Sequence, residues 1–171
     1  MAAHTWATFA EYVSARSAAL HRAAYLMVGD VGLAQDLVQE ALIRTYMAWP
    51  RLREPAHAEA YTRRAITTIA IDWARRRAST ERPSDRPPDT AAPGHADSVA
   101  EQTWLWQCLQ QLPVRQRVAI VLRYYEDLTE TQTAQAMGCA VGTVKSTVAA
   151  AMARLRGLLG ADFQPDEVST P

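Results

Sequence analysis

Apolar residues recur every three or four positions along most of this chain, and this spacing most constrains what the chain can fold into. Two stripes stand out in the first half: Val38, Leu42, Tyr46 and Trp49, then Ile66, Ile69 and Trp73. Steps of three and four place side chains on one face of an α-helix, whereas a half-buried strand needs steps of two. The pattern therefore predicts an all-α protein in which both stripes face a core.

A proline-rich and charged segment interrupts the helical pattern between residues 79 and 98. It holds four prolines and almost no large apolar side chain. Such a composition cannot bury enough surface to offset the cost of ordering the chain. We therefore predict two small helical domains, residues 1–78 and 99–160, with a flexible linker over 79–98 and a tail over 161–171. A linker of twenty residues has a coil span of about 25 Å and can extend to about 65 Å.

The second half carries the spacing of a helix-turn-helix. Leu112-Pro113 breaks the pattern before a helix that carries Val118, Val121, Leu122 and Tyr125. Thr129 and Gln132 then have the spacing of a capping box, and Gly138 suits the left-handed residue that ends a helix. The next helix has an apolar stripe of Val141, Val144, Val148, Met152 and Leu155. Its opposite face can enter a major groove, although helical hairpins without DNA share this spacing.

Charge and cysteine content exclude several classes of protein. Lys plus Arg and Asp plus Glu both number 18, so the whole chain lacks the basic excess of many DNA-binding proteins. Cys108 and Cys139 have neither disulfide nor zinc spacing, and we expect no metal and no cofactor. Histidines at 4, 21, 57 and 95 are scattered, and no phosphate loop or nucleophile elbow is present. We therefore expect that the protein is not an enzyme. The sequence shows neither a leader nor a membrane span, and we expect a cytoplasmic protein.

The stretch from Leu112 to Arg156, LPVRQRVAIVLRYYEDLTETQTAQAMGCAVGTVKSTVAAAMARLR, resembles region 4 of the extracytoplasmic-function (group IV) sigma factors of the sigma-70 family. The resemblance implies that the second helix of the helix-turn-helix reads the promoter element near minus thirty-five. It also implies a dissociable subunit of RNA polymerase that binds promoter DNA. The DNA-contacting residues that it implies are Thr143, Lys145, Ser146, Thr147 and Arg154.

The first domain resembles region 2 of the same family. DLVQEALIR, from Asp36 to Arg44, is similar to region 2.2, which docks on the clamp helices of the polymerase beta-prime subunit. The polymerase contacts that this implies are Asp36, Gln39, Glu40, Arg44 and Trp49. By itself the motif is only an amphipathic helix with a solvated polar face. Its position ahead of a region 4 resemblance favours the docking role, and the family also places region 4 on the beta flap.

YTRRAITTIAIDWARRR, from Tyr61 to Arg77, resembles regions 2.3 and 2.4, which open DNA at the minus ten element. Unpaired bases need stacking surfaces and their phosphates need cations, which this stretch supplies. The contacts that the resemblance implies are Tyr61, Arg63, Arg64, Thr68, Asp72, Arg75, Arg76 and Arg77. Trp73 also fits the buried stripe, and the arginines at a helix end also suit the helix dipole. The loop from Pro50 to Glu59 is similar to the one that holds a flipped base in the family.

Several positions depart from the family pattern. Thr68 stands where Asn is frequent, and Ala140 stands where a Ser would cap the recognition helix. Thr147 and Ala150 occupy positions where Arg is common, and each missing cation removes a phosphate contact. We therefore predict that the free protein binds promoter DNA poorly and has an unusual preference at minus thirty-five.

Two other functions remain open at this point. A dimeric helix-turn-helix regulator would use only the second half and would leave Asp36 to Arg44 unexplained. A sigma-like adaptor would bind polymerase without starting transcription. The sequence also leaves room for an anti-sigma factor as a partner, and it indicates no membrane partner.

Overall fold

The computed structural model describes residues 8–52, 54–80 and 99–160, with the backbone alone for residues 99–103. The remaining residues, among them 81–98 of the predicted linker and the tail, lie outside the described part. All regular structure in that part is helical, as predicted. Seven α-helices follow in order: α1 Phe9–Val28, α2 Val31–Ala48, α3 Pro55–Thr80, α4 Val99–Gln110, α5 Val114–Ile120, α6 Glu130–Met137 and α7 Val141–Leu159. A 3-10 turn, Trp49–Arg51, follows α2, and a π-turn, Val121–Tyr125, follows α5.

Local side-chain chemistry sets the starts of three of these helices, α1, α2 and α6. Thr8 and Glu11 form a capping box at the start of α1, and Asp30 caps α2 by accepting from the Leu33 amide at 2.6 Å. Gly29 ends α1 in the left-handed region at φ +78°, which a side chain would disfavour. Residues at the ends of α1 and α2 therefore determine where α1 begins and ends and where α2 begins.

The predicted signals of the helix-turn-helix are confirmed. Thr129 and Gln132 form the capping box at the start of α6, and Gly138 ends that helix at φ +63°. Ala140 precedes α7 and makes no side-chain capping bond, as its lack of an oxygen requires. The helix after the proline-rich segment begins at Val99, where the apolar period resumes.

Two boundaries differ from the predictions. The loop predicted over Pro50–Glu59 is shorter, because α3 begins at Pro55, where proline at the first helical position loses no hydrogen bond. Helix α3 also continues through Ser79 and Thr80, past the predicted start of the linker. Both hydroxyls donate to the carbonyl of Arg76, at 2.7 and 2.8 Å, and so extend the last turn.

The residues of the two predicted core stripes are buried or half-buried, with the exception of Tyr46. Val38, Ile66 and Ile69 are buried, and Trp49 and Trp73 are half-buried. Tyr46 was wrongly predicted as core, and it is 63% exposed. The side chains that α2 buries after Val38 are small: Ala41, Thr45 and Ala48.

Tyr125 is 48% exposed, although Val118, Val121 and Leu122 of the same stretch are buried. It lies in the π-turn, where the amide of Glu126 donates to the carbonyl of Val121, five residues earlier, at 2.9 Å. Five-residue hydrogen bonds wind the chain less per residue than an α-helix does. Tyr125 is thereby displaced from the helix face that buries Val118, Val121 and Leu122.

A short chain of hydroxyls crosses the core of the first three helices. Tyr12 is fully buried, and its hydroxyl donates to Thr62 Oγ1 at 2.8 Å, which lies 2.8 Å from Thr45 Oγ1. Burial raises the pKa of Tyr12 above its usual value. These bonds fix the rotation of α3 about its axis and so determine which of its side chains face solvent.

The helices of the two predicted domains pack against each other. Helix α3 contacts α5 and α6, and α1 contacts α5 and the π-turn. One hydrophobic cluster runs through both sets, from Leu37 and Ile66 to Val118, Met137 and Val144. No single helix among the described residues is long and apolar enough to cross a membrane, and α6 with α7 meets that criterion only as a pair bent by 98°.

Candidate nucleic-acid and polymerase interfaces

Helix α7 presents the predicted DNA-contacting side chains to solvent. Its inner face is formed by Val144, Ala151 and Leu155, which are buried, and by Val141, Val148 and Met152, which are half-buried. The exposed residues include Thr143, Lys145, Ser146, Ala150 and Arg154, and Thr147 is half-buried. The predicted orientation of the helix is confirmed, and contact with DNA stays a prediction.

Two hydroxyls on this face already have a hydrogen-bond partner within the helix. Ser146 Oγ and Thr147 Oγ1 both donate to the carbonyl of Thr143, at 3.0 and 2.7 Å. A hydroxyl has a single proton, so both oxygens offer lone pairs to an outside donor while these bonds hold. The exocyclic amino groups of adenine and cytosine are such donors in the major groove. This part of the helix is therefore suited to reading bases by accepting hydrogen bonds.

Lys145 is the cation closest to the start of α7, and it faces an acid. Its Nζ lies 3.5 Å from Glu130 Oε2 in the first turn of α6. Both side chains are well exposed, so the pair contributes little to stability. A DNA phosphate that approached Lys145 would compete with this carboxylate. The surface of α7 is accordingly less attractive to DNA than its cations alone would make it.

Helix α3 has an exposed stripe that matches five of the predicted minus ten residues. Steps of three and four along the helix align Tyr61, Arg64, Thr68, Asp72 and Arg75, of which only Asp72 is half-buried. Arg75 Nη2 donates to Asp72 Oδ1 at 2.9 Å. The stripe thus combines one exposed aromatic ring with cations, the two features that unpaired DNA requires.

The last turns of α3 extend this basic surface. Arg76 and Arg77 are exposed, and the guanidinium of Arg77 lies 5.2 Å from the centre of the Trp73 ring. Arg76 Nε donates to the carbonyl of Asp72 at 3.4 Å. The half-buried Trp73 ring therefore has a cation of its own helix next to it.

Arg63 is the one predicted minus ten residue that lies elsewhere. Its side chain leaves the exposed stripe and forms an ion pair with Glu126, with Nε and Oε2 3.1 Å apart. Only 20% of the Arg63 side chain and 17% of the Glu126 side chain are exposed. Sequence reasoning missed this pair because the two residues lie 63 positions apart.

Helix α2 brings four of the five predicted polymerase contacts onto one exposed face. These residues are Asp36, Gln39, Glu40 and Arg44, and Arg44 Nη2 pairs with Glu40 Oε1 at 2.5 Å. Trp49, the fifth, is half-buried, with its ring 5.3 Å from that of Phe9 and 5.6 Å from that of Tyr12. Its ring supports the end of the helix more than it faces solvent.

Sequence reasoning missed two apolar members of this face. Ile43 and Met47 are 62% and 72% exposed, and each lies three residues beyond a polar member, Glu40 or Arg44. Apolar side chains within the polar stripe of an amphipathic helix were the signal that could have identified them. Together with the charged residues they form a surface suited to a protein partner.

Metal-ligating side chains are scattered in the described residues, and one of their two cysteines is buried. No group of three or more His, Cys, Asp or Glu side chains in residues 8–52, 54–80 and 99–160 could hold a metal ion. Cys108 is buried, which raises the pKa of its thiol, and Cys139 is half-buried. A buried thiol with a raised pKa is a poor nucleophile.

Comparison with known proteins assigns both halves of the chain to one family. Residues 13–80 match the family described as Sigma-70 region 2, and residues 102–155 match Sigma-70, region 4. The chain is 40% identical over 148 residues to the RNA polymerase sigma-E factor of Streptomyces avermitilis, covering 86% of this chain and 83% of that protein. It is 31% identical over 149 residues to the ECF RNA polymerase sigma factor SigC of Mycobacterium tuberculosis, covering 85% and 77%.

A solved structure has the same fold over most of the chain. It is the sigma factor RpoE of Bartonella quintana in complex with the anti-sigma factor NepR, with a TM-score of 0.70 and 24% identity. The match covers 91% of this chain and 98% of that one. From its two family regions and its relatives, the chain belongs to the extracytoplasmic-function sigma factors of the sigma-70 family, which act with RNA polymerase in transcription initiation.

Proposed function

We propose that this sigma factor binds polymerase and promoter DNA through three separate surfaces, one each on α2, α3 and α7. The exposed face of α2 docks on the clamp helices of the polymerase beta-prime subunit, and the C-terminal helices contact the beta flap. The stripe of α3 binds the minus ten element and stabilises its open strands. The outer face of α7 reads the minus thirty-five element. The protein then acts where polymerase and the chromosome are, in the cytoplasm.

The observation that supports this division most directly is the chemistry of α3. One stripe of a single helix presents an exposed tyrosine and arginines, with more arginines at the helix end. Base stacking on aromatic rings and neutralisation of phosphates both favour open strands. Strand opening therefore draws on binding energy, and we propose that the chain catalyses no reaction of its own.

One specific observation favours the alternative function, a sigma-like adaptor. Lys145 is paired with Glu130, and positions 147 and 150 hold Thr and Ala, so α7 attracts phosphates weakly. A chain that docks on polymerase through α2 without reading a promoter would fit this surface. An anti-sigma factor is a further partner that we propose, by analogy with the complex of the Bartonella quintana protein.

Transcription in vitro separates these functions. Core polymerase from the source organism, fragmented genomic DNA and this protein are expected to give start sites that share two upstream elements. A chain that binds core polymerase and yields no new start sites would establish the adaptor. Binding to a palindrome without polymerase would establish a conventional regulator.

Two charge variants test the docking surface through their affinity for core polymerase. Asp36→Arg reverses one charge on the exposed face of α2 and should lower affinity for core polymerase at least tenfold. Glu54→Arg makes the same charge reversal at an exposed acid before α3, outside the α2 face, and is the matched control, with little expected effect on polymerase binding. Equal losses in both variants would remove the α2 face from the proposal.

A further inference from the structure

Helix α3 ends with a hydroxyl side chain that none of the three proposed surfaces uses. Ser79 is the last but one residue of the helix, and it follows Arg75-Arg76-Arg77-Ala78. Arginines therefore stand two, three and four residues before it. Kinases select their substrates by the pattern of charge around the acceptor, and a run of arginines before a serine fits a kinase with an acidic substrate groove. The sequence thus indicates Ser79 as a candidate for modification.

The end of α3 that carries Ser79 has only exposed side chains. All residues from Arg75 to Thr80 are exposed, whereas Ile69 and Ala70, nearer the middle of the helix, are buried. A helix end without buried side chains opens locally at little cost in free energy. A kinase can therefore bind this segment as an extended peptide while the core of the first three helices stays folded.

The hydroxyl of Ser79 takes part in the last turn of the helix. Its Oγ donates to the carbonyl of Arg76 at 2.7 Å. Opening of the turn releases the hydroxyl, and Oγ then acts as the nucleophile. It forms a bond to the γ-phosphorus of ATP while the bond from that phosphorus to the oxygen that bridges to the β-phosphate breaks. ADP leaves, and the hydroxyl proton passes to the catalytic base of the kinase.

A phosphate on Ser79 would lie next to two of the arginines proposed to bind DNA. Residues three and four positions apart are neighbours on a helix, so these arginines are Arg76 and Arg75. Both now contact Asp72: Arg75 Nη2 donates to its Oδ1 at 2.9 Å, and Arg76 Nε donates to its carbonyl at 3.4 Å. A phosphate dianion binds a guanidinium group more strongly than an exposed carboxylate does. Both side chains would therefore turn toward the phosphate and away from DNA.

The charge of this segment would also fall. Residues 75–80 contain three arginines and no acid, which gives a net charge of +3. Phosphoserine carries about −1.5 to −2 charges at pH 7, which leaves about +1. Because attraction for DNA phosphates depends on this charge, the modified helix end would bind DNA more weakly.

Thr80, the neighbouring hydroxyl, is less well placed for this effect. The arginines three and four residues before it are Arg77 and Arg76. The guanidinium of Arg77 lies 5.2 Å from the centre of the Trp73 ring, which attracts the cation. A phosphate on Thr80 would compete with this ring for Arg77, whereas a phosphate on Ser79 would not.

We propose that Ser79 is phosphorylated by a serine/threonine kinase that recognises arginine, and that the phosphate withdraws Arg75 and Arg76 from promoter DNA. This inference rests on the proposed binding of the minus ten element by α3. The docking face of α2 is a separate surface, so phosphorylation weakens promoter binding and leaves polymerase binding unchanged. Transcription from the promoters of this sigma factor is thereby lowered while the factor stays bound to polymerase.

Labelling of the full chain tests whether Ser79 is the acceptor. The chain is incubated with radioactive ATP and an extract of the source organism, and the labelled residue is located by mass spectrometry of its peptides. We expect label on Ser79 in the wild type and none at that position in Ser79→Ala. Ser14→Ala, which removes an exposed hydroxyl from α1, should be labelled like the wild type. Label confined to other residues, or no label at all, would overturn the proposal.

A full chain that carries phosphoserine at position 79, inserted during translation, tests the consequence. In complex with core polymerase, its affinity for a promoter should be at least tenfold lower than that of the unmodified chain. The slope of log affinity against log salt should be smaller by about 2 units, since two phosphate contacts are lost. Phosphoserine at position 14 on α1 is the matched control and should change neither quantity. Equal promoter affinity with and without the phosphate at position 79 contradicts the proposal.

The triple variant Arg75→Gln, Arg76→Gln and Arg77→Gln separates this inference from the proposed function. It should lose the label on Ser79, because the arginines direct the kinase, and it should bind promoters weakly if α3 binds the minus ten element. Weak binding by the triple variant, together with full binding by the phosphorylated chain, would reject the phosphate switch and keep the function of α3. Full binding by both would reject the assignment of α3 as well.

Discussion

Helices α3 and α7 are both long and present one exposed face, yet the chemistry of these faces differs. Helix α3 exposes Arg64 and three consecutive arginines from Arg75 to Arg77. Helix α7 exposes hydroxyls and Ala150, and its leading cation, Lys145, faces Glu130. Helix α3 thus concentrates arginines at its end, whereas α7 places hydroxyls ahead of two exposed arginines, Arg154 and Arg156.

The difference indicates how the two faces would share the work on a promoter. Cations bind phosphates of any sequence and supply most of the affinity. Hydroxyls at the floor of a major groove distinguish bases but contribute little attraction at long range. We infer that α3 supplies affinity and α7 supplies discrimination, and the following changes test that division.

The largest effect is expected from the arginines at the end of α3. Replacing Arg75, Arg76 and Arg77 together by Gln should lower the affinity of the polymerase complex for its promoter about 100-fold at 0.15 M salt. Each phosphate contact contributes about fivefold at that salt concentration. The slope of log affinity against log salt should also fall by about 2 to 3 units.

An exposed arginine on α1 provides the control. Arg22→Gln removes one cation away from the α3 stripe and should change neither affinity nor slope measurably. Titrations of a labelled promoter at three salt concentrations give both quantities. A triple variant with an unchanged slope would mean that these arginines serve the helix end and contact no phosphate.

A smaller effect in binding, and a larger one in discrimination, is expected on α7. Thr143→Val keeps the shape of the side chain and removes its hydroxyl, so preference at one base pair of the minus thirty-five element should fall about tenfold. The slope of log affinity against log salt should not change. Thr131→Val makes the same chemical change at an exposed position on α6 and is the control. Unchanged base preference in Thr143→Val would exclude this residue from base reading.

The pair of Lys145 with Glu130 should give changes of opposite sign. Lys145→Gln removes one phosphate contact and should weaken binding about fivefold for every promoter. Glu130→Gln frees the lysine and removes a negative charge near the DNA, so it should strengthen binding about twofold. Filter binding on several promoters measures both. If Glu130→Gln weakens binding too, the carboxylate orients Lys145 and does not compete with phosphate.

Local chemistry made the boundaries within the helix-turn-helix and the face of α7 predictable from the sequence. The capping box of Thr129 and Gln132 acts within one turn, and Gly138 needs only its own backbone conformation. The stripe ending in Leu155 is regular because α7 is an uninterrupted α-helix. Features that depend on three or four neighbouring residues carry their own signal.

Features that depend on cumulative rotation or on distant residues were not predictable. Two steps of four carry the helix from Val38 to Tyr46 and turn the side chain about 80° away from the core. The pairing of Arg63 with Glu126 has no local signal at all, since it follows from the packing of the two halves. The exposed faces of α2, α3 and α7 were thus predictable, and the packing of the two halves against each other was not.

The smallest effect concerns the start of α7, where Ala140 leaves the first amides without a side-chain partner. Ala140→Ser supplies a capping oxygen and should raise the free energy of unfolding by about 0.5–1 kcal/mol. The same oxygen would occupy an amide that could otherwise bind a phosphate, so promoter affinity should fall slightly or stay constant. Ala140→Val, which adds bulk without a capping oxygen, should show no such gain in urea unfolding. A variant both more stable and tighter in binding would mean that fraying of α7, and not its scarcity of cations, limits the affinity of this face.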